Sequence, residues 1–301
     1  MLVVDFTRYT PGAFAGRELL RHGARVVKVE APEGDPLRAV PDWHEQLNDG
    51  KESVVCDLKA DPSLALALLA RADVVLEGFR PGVAERLGIG PEQAPATTVY
   101  CSITGFGAGD TRAGHDLNYV GWAGLLEDAS VPPIQIADLA AGALGAVTEI
   151  LAALLERERS GEGKRIVISM THRSLDFAEP PPKRLNGTLA CYRLYTTADG
   201  RALTVGALEP VFFRRLCELV GAPELAERQY DADQQALAAR FTEIFAGNPL
   251  ETWLELFEGE DVCVGPVATL EEAKRALAPA RTTRAPALGE HTERWRSQLP
   301  G

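Results

Sequence analysis

"LVVDFTRYTPGAFAGRELLRHGARVVKVE", residues 2–30, decides the fold class. Two short valine-rich runs, "LVVDF" (2–6) and "RVVKVE" (25–30), flank "AFAGRELLRHGA" (13–24), whose apolar spacing is helical. Two strands joined by one helix form a right-handed βαβ unit, and such strands lie parallel in one sheet. The pattern then repeats. "SVVCDL" (53–58), "DVVLEGF" (73–79) and "TVYCSITGF" (98–106) read as strands. "DPSLALALLARA" (61–72) and "PGVAERLGI" (81–89) read as helices between them. This alternation predicts an α/β fold whose large domain carries a mostly parallel sheet with flanking helices.

Farther on, "DLAAGALGAVTEILAALLERERSGEG" (138–163) is the strongest helix, rich in Ala and Leu and stopping at Ser-Gly, and "KRIVISM" (164–170) is the next strand. Between 171 and 190 the pattern dissolves around a triple proline, which neither a helix interior nor a central strand accepts. That stretch is expected to link two domains. "CYRLYTTADGRALTVGAL" (191–208) reads as a hairpin turning at Asp199-Gly200. Helices follow to about residue 260, then a strand-turn-helix over 262–276. The expected division is a large domain over 1–183, to which 275–301 returns, and a smaller α+β domain over 184–274. The segment after 279 has no apolar periodicity and is expected to be poorly ordered or wrapped over another surface.

Composition narrows the function. With 301 residues, 46% hydrophobic and 25% charged, the chain has the make-up of a soluble globular protein. A net charge of −12 argues against nucleic acid as a partner, because phosphate backbones select basic surfaces. Cys56, Cys101, Cys191, Cys217 and Cys263 are scattered singly, without metal-ligand spacing, as suits a reducing cytoplasm. No N-terminal signal is expected, and apolar runs such as "LALALLA" (64–70) are too short to span a membrane.

Glu30 ends the second strand, where a dinucleotide fold places its ribose-binding acid. The turn, however, reads Thr10-Pro11-Gly12-Ala13-Phe14-Ala15-Gly16, with Pro and Phe where backbone must approach a pyrophosphate. The topology is shared, but the phosphate cradle is absent.

Seven blocks, in order, carry a resemblance: residues 3–38, "DLKAD" (57–61), "DVVLEGFRPGVAERLGIGPE" (73–92), "SITGFG" (102–107), "AGHDLNYVGWAGLL" (113–126), "ADLAAGAL" (137–144) and "DGRALTVGALEPVFFRRL" (199–216). The chain resembles the CoA-transferase family III (CaiB/BaiF-type) fold, and within it the α-methylacyl-CoA racemase branch. The resemblance implies an interlocked homodimer. It also implies an isomerase that interconverts (2R)- and (2S)-2-methylacyl-CoA esters through a thioester enolate, in cytoplasmic lipid metabolism. No metal and no cofactor is expected beyond the coenzyme A of the substrate.

Such chemistry needs an acid–base group on each face of the α-carbon and hydrogen-bond donors at the enolate oxygen. By resemblance His115, Asp138 and Glu209 are the catalytic groups, and Arg38, Leu58, Lys59, Gly78, Arg80, Arg86, Asp116 and Tyr119 bind the CoA ester. Each has a plainer reading. His115 is a mid-chain histidine, Asp138 an N-cap and Glu209 a first-turn acid. The backbone at the start of the 138–155 helix is expected to hold the enolate oxygen. The transferases of the family use the aspartate matching Asp138 as a nucleophile and generally lack both the histidine of "GHD" and the glutamate of "G-x-x-E-P"; this chain has both. The loops around 107–113 and 127–138 and the 172–195 linker are shorter than in the racemases. The alternatives are therefore acyl-CoA:carboxylate CoA transfer through Asp138, or binding of CoA esters without turnover.

Overall fold

Runs of Val, Ile and Leu in which both alternating faces are apolar form strands buried on both sides, and six of them make the central sheet. In the computed structural model, which describes residues 1–126, 131–178, 185–277 and 283–298, these strands are β1 (Leu2–Asp5), β2 (Arg25–Glu30), β3 (Glu52–Val55), β4 (Val74–Glu77), β5 (Val99–Thr104) and β6 (Arg165–Ser169). Their order is β3-β2-β1-β4-β5-β6, and every pairing is parallel. Alternation along each strand feeds two cores. Val3, Val26 and Val74 pack on one face with Leu19 and Ile150; Val4, Val27 and Val75 pack on the other with Leu64, Leu68 and Trp295. Full burial of each such side chain contributes about 1.5–3 kcal/mol.

The helices of this unit are α1 (Tyr9–Arg21), α2 (Pro41–Asn48), α3 (Ser63–Leu69), α4 (Val83–Arg86), α5 (Asp116–Trp122), α6 (Gly145–Ser160) and α7 (Met170–Leu175). Three depart from the sequence expectation. Helix α1 starts four residues early, because Pro11 falls in a first turn whose N–H groups need no intrahelical partner. Helix α2 fills a stretch read as turn, and α7 lies inside the stretch read as linker. The triple proline itself falls outside the described residues. The long 138–163 helix is composite: Ala137–Leu144 is wound as a π-helix and runs directly into α6. Together, Ala137–Ser160 is long and apolar enough to cross a membrane, contrary to the reading of the apolar runs, but half of its most apolar window is buried in the protein.

The tail returns to the sheet instead of trailing. Helix α12 (Thr292–Gln298) sets Trp295 into the core, its Nε1–H donating to Glu52 Oε2 at 2.6 Å. The residues just before it cover edge strand β3. Ser53 N–H donates to His291 Nδ1 at 3.2 Å, His291 N–H to Ser53 O at 2.9 Å, and Val55 N–H to Thr292 Oγ1 at 3.0 Å. Open ladder groups on an edge strand invite association, and here they are occupied.

The chain divides into two compact units, Met1–Ala178 with Arg281–Gly301, and Glu179–Ala280. The second holds the antiparallel sheet β7 (Tyr192–Thr196), β8 (Ala202–Gly206) and β9 (Val264–Pro266), in that order, with α8 (Pro210–Leu219), α9 (Gln234–Phe245), α10 (Leu250–Phe257) and α11 (Leu270–Leu277). Its core is aromatic, with Tyr195, Phe213, Phe241, Phe245 and Trp253 in a chain of ring contacts.

Candidate active site

Between β1 and β4 the strand order reverses, so the loops leaving their carboxyl ends diverge. In open parallel sheets this switch point is where ligands bind. A cleft of about 460 Å³ opens there, lined by Thr7–Tyr9 after β1, Gly78–Pro81 after β4, and His115, Tyr119 and Asp138. A smaller one of about 210 Å³ is lined by Val29–Asp35 after β2, by Cys56–Lys59 after β3, and by Arg8 and Phe79. The larger cleft therefore brings together His115, Asp138, Tyr119, Gly78 and Arg80, and the smaller holds Leu58 and Lys59.

Asp138 enters the cleft from the first π-turn and is itself buried. Burial, and then the charge of Asp116, push its carboxyl up to about 7. Asp116 heads α5, is buried, and lines neither cleft; its Oδ1 accepts the backbone N–H of Asp138 at 2.9 Å. The N–H of Leu139 goes to Gln135 O at 3.0 Å. The donors at residues 138 and 139 are thus committed within the protein, a correction to the expectation that the backbone here waits for an enolate oxygen.

His115 stands at the N-cap of α5 with extended backbone. Its N–H donates to Asn118 Oδ1 at 3.0 Å and its carbonyl accepts from Asn118 N–H at 2.8 Å. Its side of the site is exposed, and the ring of Tyr9 meets it edge-on at 6.3 Å between centroids. Tyr119 is fixed beneath, its hydroxyl donating to Gly114 O at 2.5 Å and its ring against Phe106. Any side chain at Gly105 would fall within 2.5 Å of that ring, which explains the glycine. Burial, then the Asp138 charge, push the phenol up to about 12.

The other expected groups are dispersed. Arg38 is tied to Glu30 through two bonds of 2.8 and 2.6 Å and, like exposed Arg86, lines neither cleft. Glu209 lies in the second unit, exposed, at the N-cap of α8. Among the described residues no cluster of His, Cys, Asp or Glu is arranged to hold a metal ion.

Beneath the loop after β1 lies a buried ionic network that the sequence reading missed. Lys28 pairs with Asp35 at 2.7 Å and donates to Thr7 O at 3.0 Å. Lys51 reaches Asp5 at 3.3 Å, Ala13 O at 2.8 Å and Asn48 Oδ1 at 3.1 Å; burial lowers it to about 8. Asp5 Oδ1 in turn accepts the N–H and hydroxyl of Thr7. A lysine inside the buried run "RVVKVE" was the available signal, since such a charge needs a partner.

The model of CoA-transferase family III matches residues 1–285. The chain belongs to that family. Among its relatives, human α-methylacyl-CoA racemase is 34% identical over 301 residues, covering 90% of this chain and 77% of that one. The succinate–glutarate CoA-transferase of Agrobacterium fabrum is 31% identical, covering 90% and 80%. The crystal structure of a CaiB/BaiF family protein from Brucella suis matches this fold with a TM-score of 0.83 at 26% identity, over 100% of this chain and 98% of that one. This family III chain thus stands among enzymes named for CoA-ester chemistry, with the racemase and transferase branches at nearly equal distance.

Proposed function

We propose that the protein interconverts (2R)- and (2S)-2-methylacyl-CoA esters by 1,1-proton transfer at the α-carbon. The observation that carries this reading is that His115 and Asp138 line one cleft at the switch point, with Asp138 held near neutrality. Imidazole and carboxyl side chains both serve as general acids and bases in proton transfer. In this reading the His115–Asp138 side removes the α-proton from one face. The electron pair moves into the thioester as an enolate. Glu209, by resemblance, returns a proton to the opposite face, after which the His115–Asp138 side gives its proton to solvent and Glu209 takes one up, restoring the starting protonation states. Coenzyme A remains attached throughout and supplies binding energy.

Transfer of CoA through Asp138 is the second reading, favoured by relatives such as the succinate–glutarate enzyme at 31% identity. The chain carries both His115 and Glu209, which by resemblance belong to the racemase branch, and that weighs toward proton transfer.

The test is incubation with a single-enantiomer 2-methylacyl-CoA in D₂O. Deuterium should enter the α-carbon as optical purity falls, and His115→Ala should slow both by about 10²-fold or more. Passage of CoA to added carboxylate with no deuterium gain would assign the transferase. Binding with neither reaction would assign a CoA-ester binder.

A further inference from the structure

Tyr9 is the one residue of the cleft wall held in a backbone conformation its side chain disfavours. Its φ is +64°, in the left-handed region that a bulky residue rarely enters. Both sides of it are fixed. On the N-terminal side, Thr7 is gripped through its N–H and hydroxyl by buried Asp5 and through its carbonyl by buried Lys28. On the C-terminal side, Gly12 packs so closely on Thr7 that a Cβ there would lie 2.1 Å from the threonine side chain. The chain must turn from strand to helix between these anchors, and Tyr9 takes the strained step.

A glycine would take the same step without strain. The ring of Tyr9 is also no core residue, being half exposed. What it contacts is His115, edge-on, at 83° between ring planes. Strain retained at a cleft wall by an over-determined loop is a mark of function.

We infer that Tyr9 is a positioning residue for His115: the buried Lys28–Asp35 and Lys51–Asp5 pairs lock the loop, and the locked ring sets the plane of the imidazole in the cleft. Burial would raise the Asp35 carboxyl, but Lys28, with the backbone N–H groups of Leu37 and Tyr9, holds it below the ordinary range. The carboxylate therefore stays charged and braces the loop at working pH. The inference rests on the proposed proton transfer for its kinetic consequence, but the geometry is testable without any turnover.

The experiment compares wild type, Tyr9→Gly and Tyr9→Phe. Imidazole ¹H–¹⁵N spectra are recorded, the His115 signals being assigned among five histidines by their loss in His115→Ala. In Tyr9→Gly the His115 ring signals should move and broaden as the facing ring is removed, while Tyr9→Phe should preserve them. In the D₂O assay Tyr9→Gly should lower kcat about tenfold or more with KM little changed, Tyr9→Phe should rescue it, and the melting temperature of Tyr9→Gly should not fall. Unchanged His115 signals in Tyr9→Gly would overturn the inference, as would unchanged kcat in an enzyme that exchanges. A wild type with no exchange, but with the spectral change, would keep the inference and remove the proposed reaction instead.

Discussion

Replacing Asp138 by Asn isolates the electrostatic cost of its position. The ordinary carboxyl value is 3.8, and burial beside Asp116 raises it to about 7. The folded protein therefore binds this proton more tightly than the unfolded chain does, so stability is highest while the group is protonated and falls as pH climbs from about 4 to 7. At about 1.4 kcal/mol per pH unit, the full excursion is on the order of 4 kcal/mol. The part crossed between pH 5 and pH 8 is about 2–3 kcal/mol. Asparagine mimics the neutral acid in size and cannot ionise, so Asp138→Asn should escape that loss. Its stability should gain about 2–3 kcal/mol on wild type over this interval, whatever constant offset the amide introduces. The assay is urea unfolding at pH 5, 6.5 and 8 in a Trp253→Phe background. Fluorescence then reports the first unit through Trp43, Trp122 and Trp295. Asp116→Asn should show a shallower wild-type-like slope, because it removes the like charge and leaves the burial. Parallel curves for wild type and Asp138→Asn would refute the reasoning, since they would mean that Asp138 titrates in the folded protein as it does in the unfolded chain.

Two further substitutions probe what holds the cleft in place. Gly12→Ala forces a methyl to within 2.1 Å of Thr7, and should cost about 1–3 kcal/mol in the same urea titration, with Gly23→Ala no guide because that site is open but left-handed. Trp295→Ala removes a fully buried ring and its bond to Glu52, and should cost about 3–5 kcal/mol with faster amide exchange at Ser53 and Val55 as the β3 edge is uncovered.

The parallel sheet was legible because its signal is local: a run such as "DVVLEGF" needs no knowledge of its neighbours to be read as a buried strand. The pieces that escaped depend on single residues or on partners far along the chain. Helix α12 is anchored by one tryptophan, and one residue makes no period. Helix α2 begins at a proline within a turn-rich stretch and buries only three side chains, His44, Leu47 and Asn48. The π-wound start of the long helix leaves the same Ala-Leu pattern as an α-helix, so only the backbone reveals it. At the site, His115 and Asp138 came from motif resemblance, whereas the titration of Asp138 could not be read at all. It arises from burial and from a carboxylate 22 residues away in the chain.

The strand order is that of dinucleotide-binding folds, yet the details of the first βαβ unit explain why the resemblance stops there. Glu30, where a ribose-binding acid would stand, is saturated: Arg38 binds it twice, Ser53 donates at 2.6 Å, and the N–H of Asp35 donates at 3.0 Å. Burial would raise its carboxyl, but Arg38, Ser53 and the Lys28 charge hold it low. It is a structural anion, and freeing it for a ligand would strand Arg38 and Ser53. Gly12, where a dinucleotide fold needs backbone open to pyrophosphate, is closed by Thr7. The chain has thus used both positions for its own packing and pairing, Gly12 against Thr7 and Glu30 with Arg38 and Ser53. Fold alone is a poor guide to function for this reason. The candidates for the proposed chemistry are cleft residues outside those structural pairings, His115 and Asp138 among them.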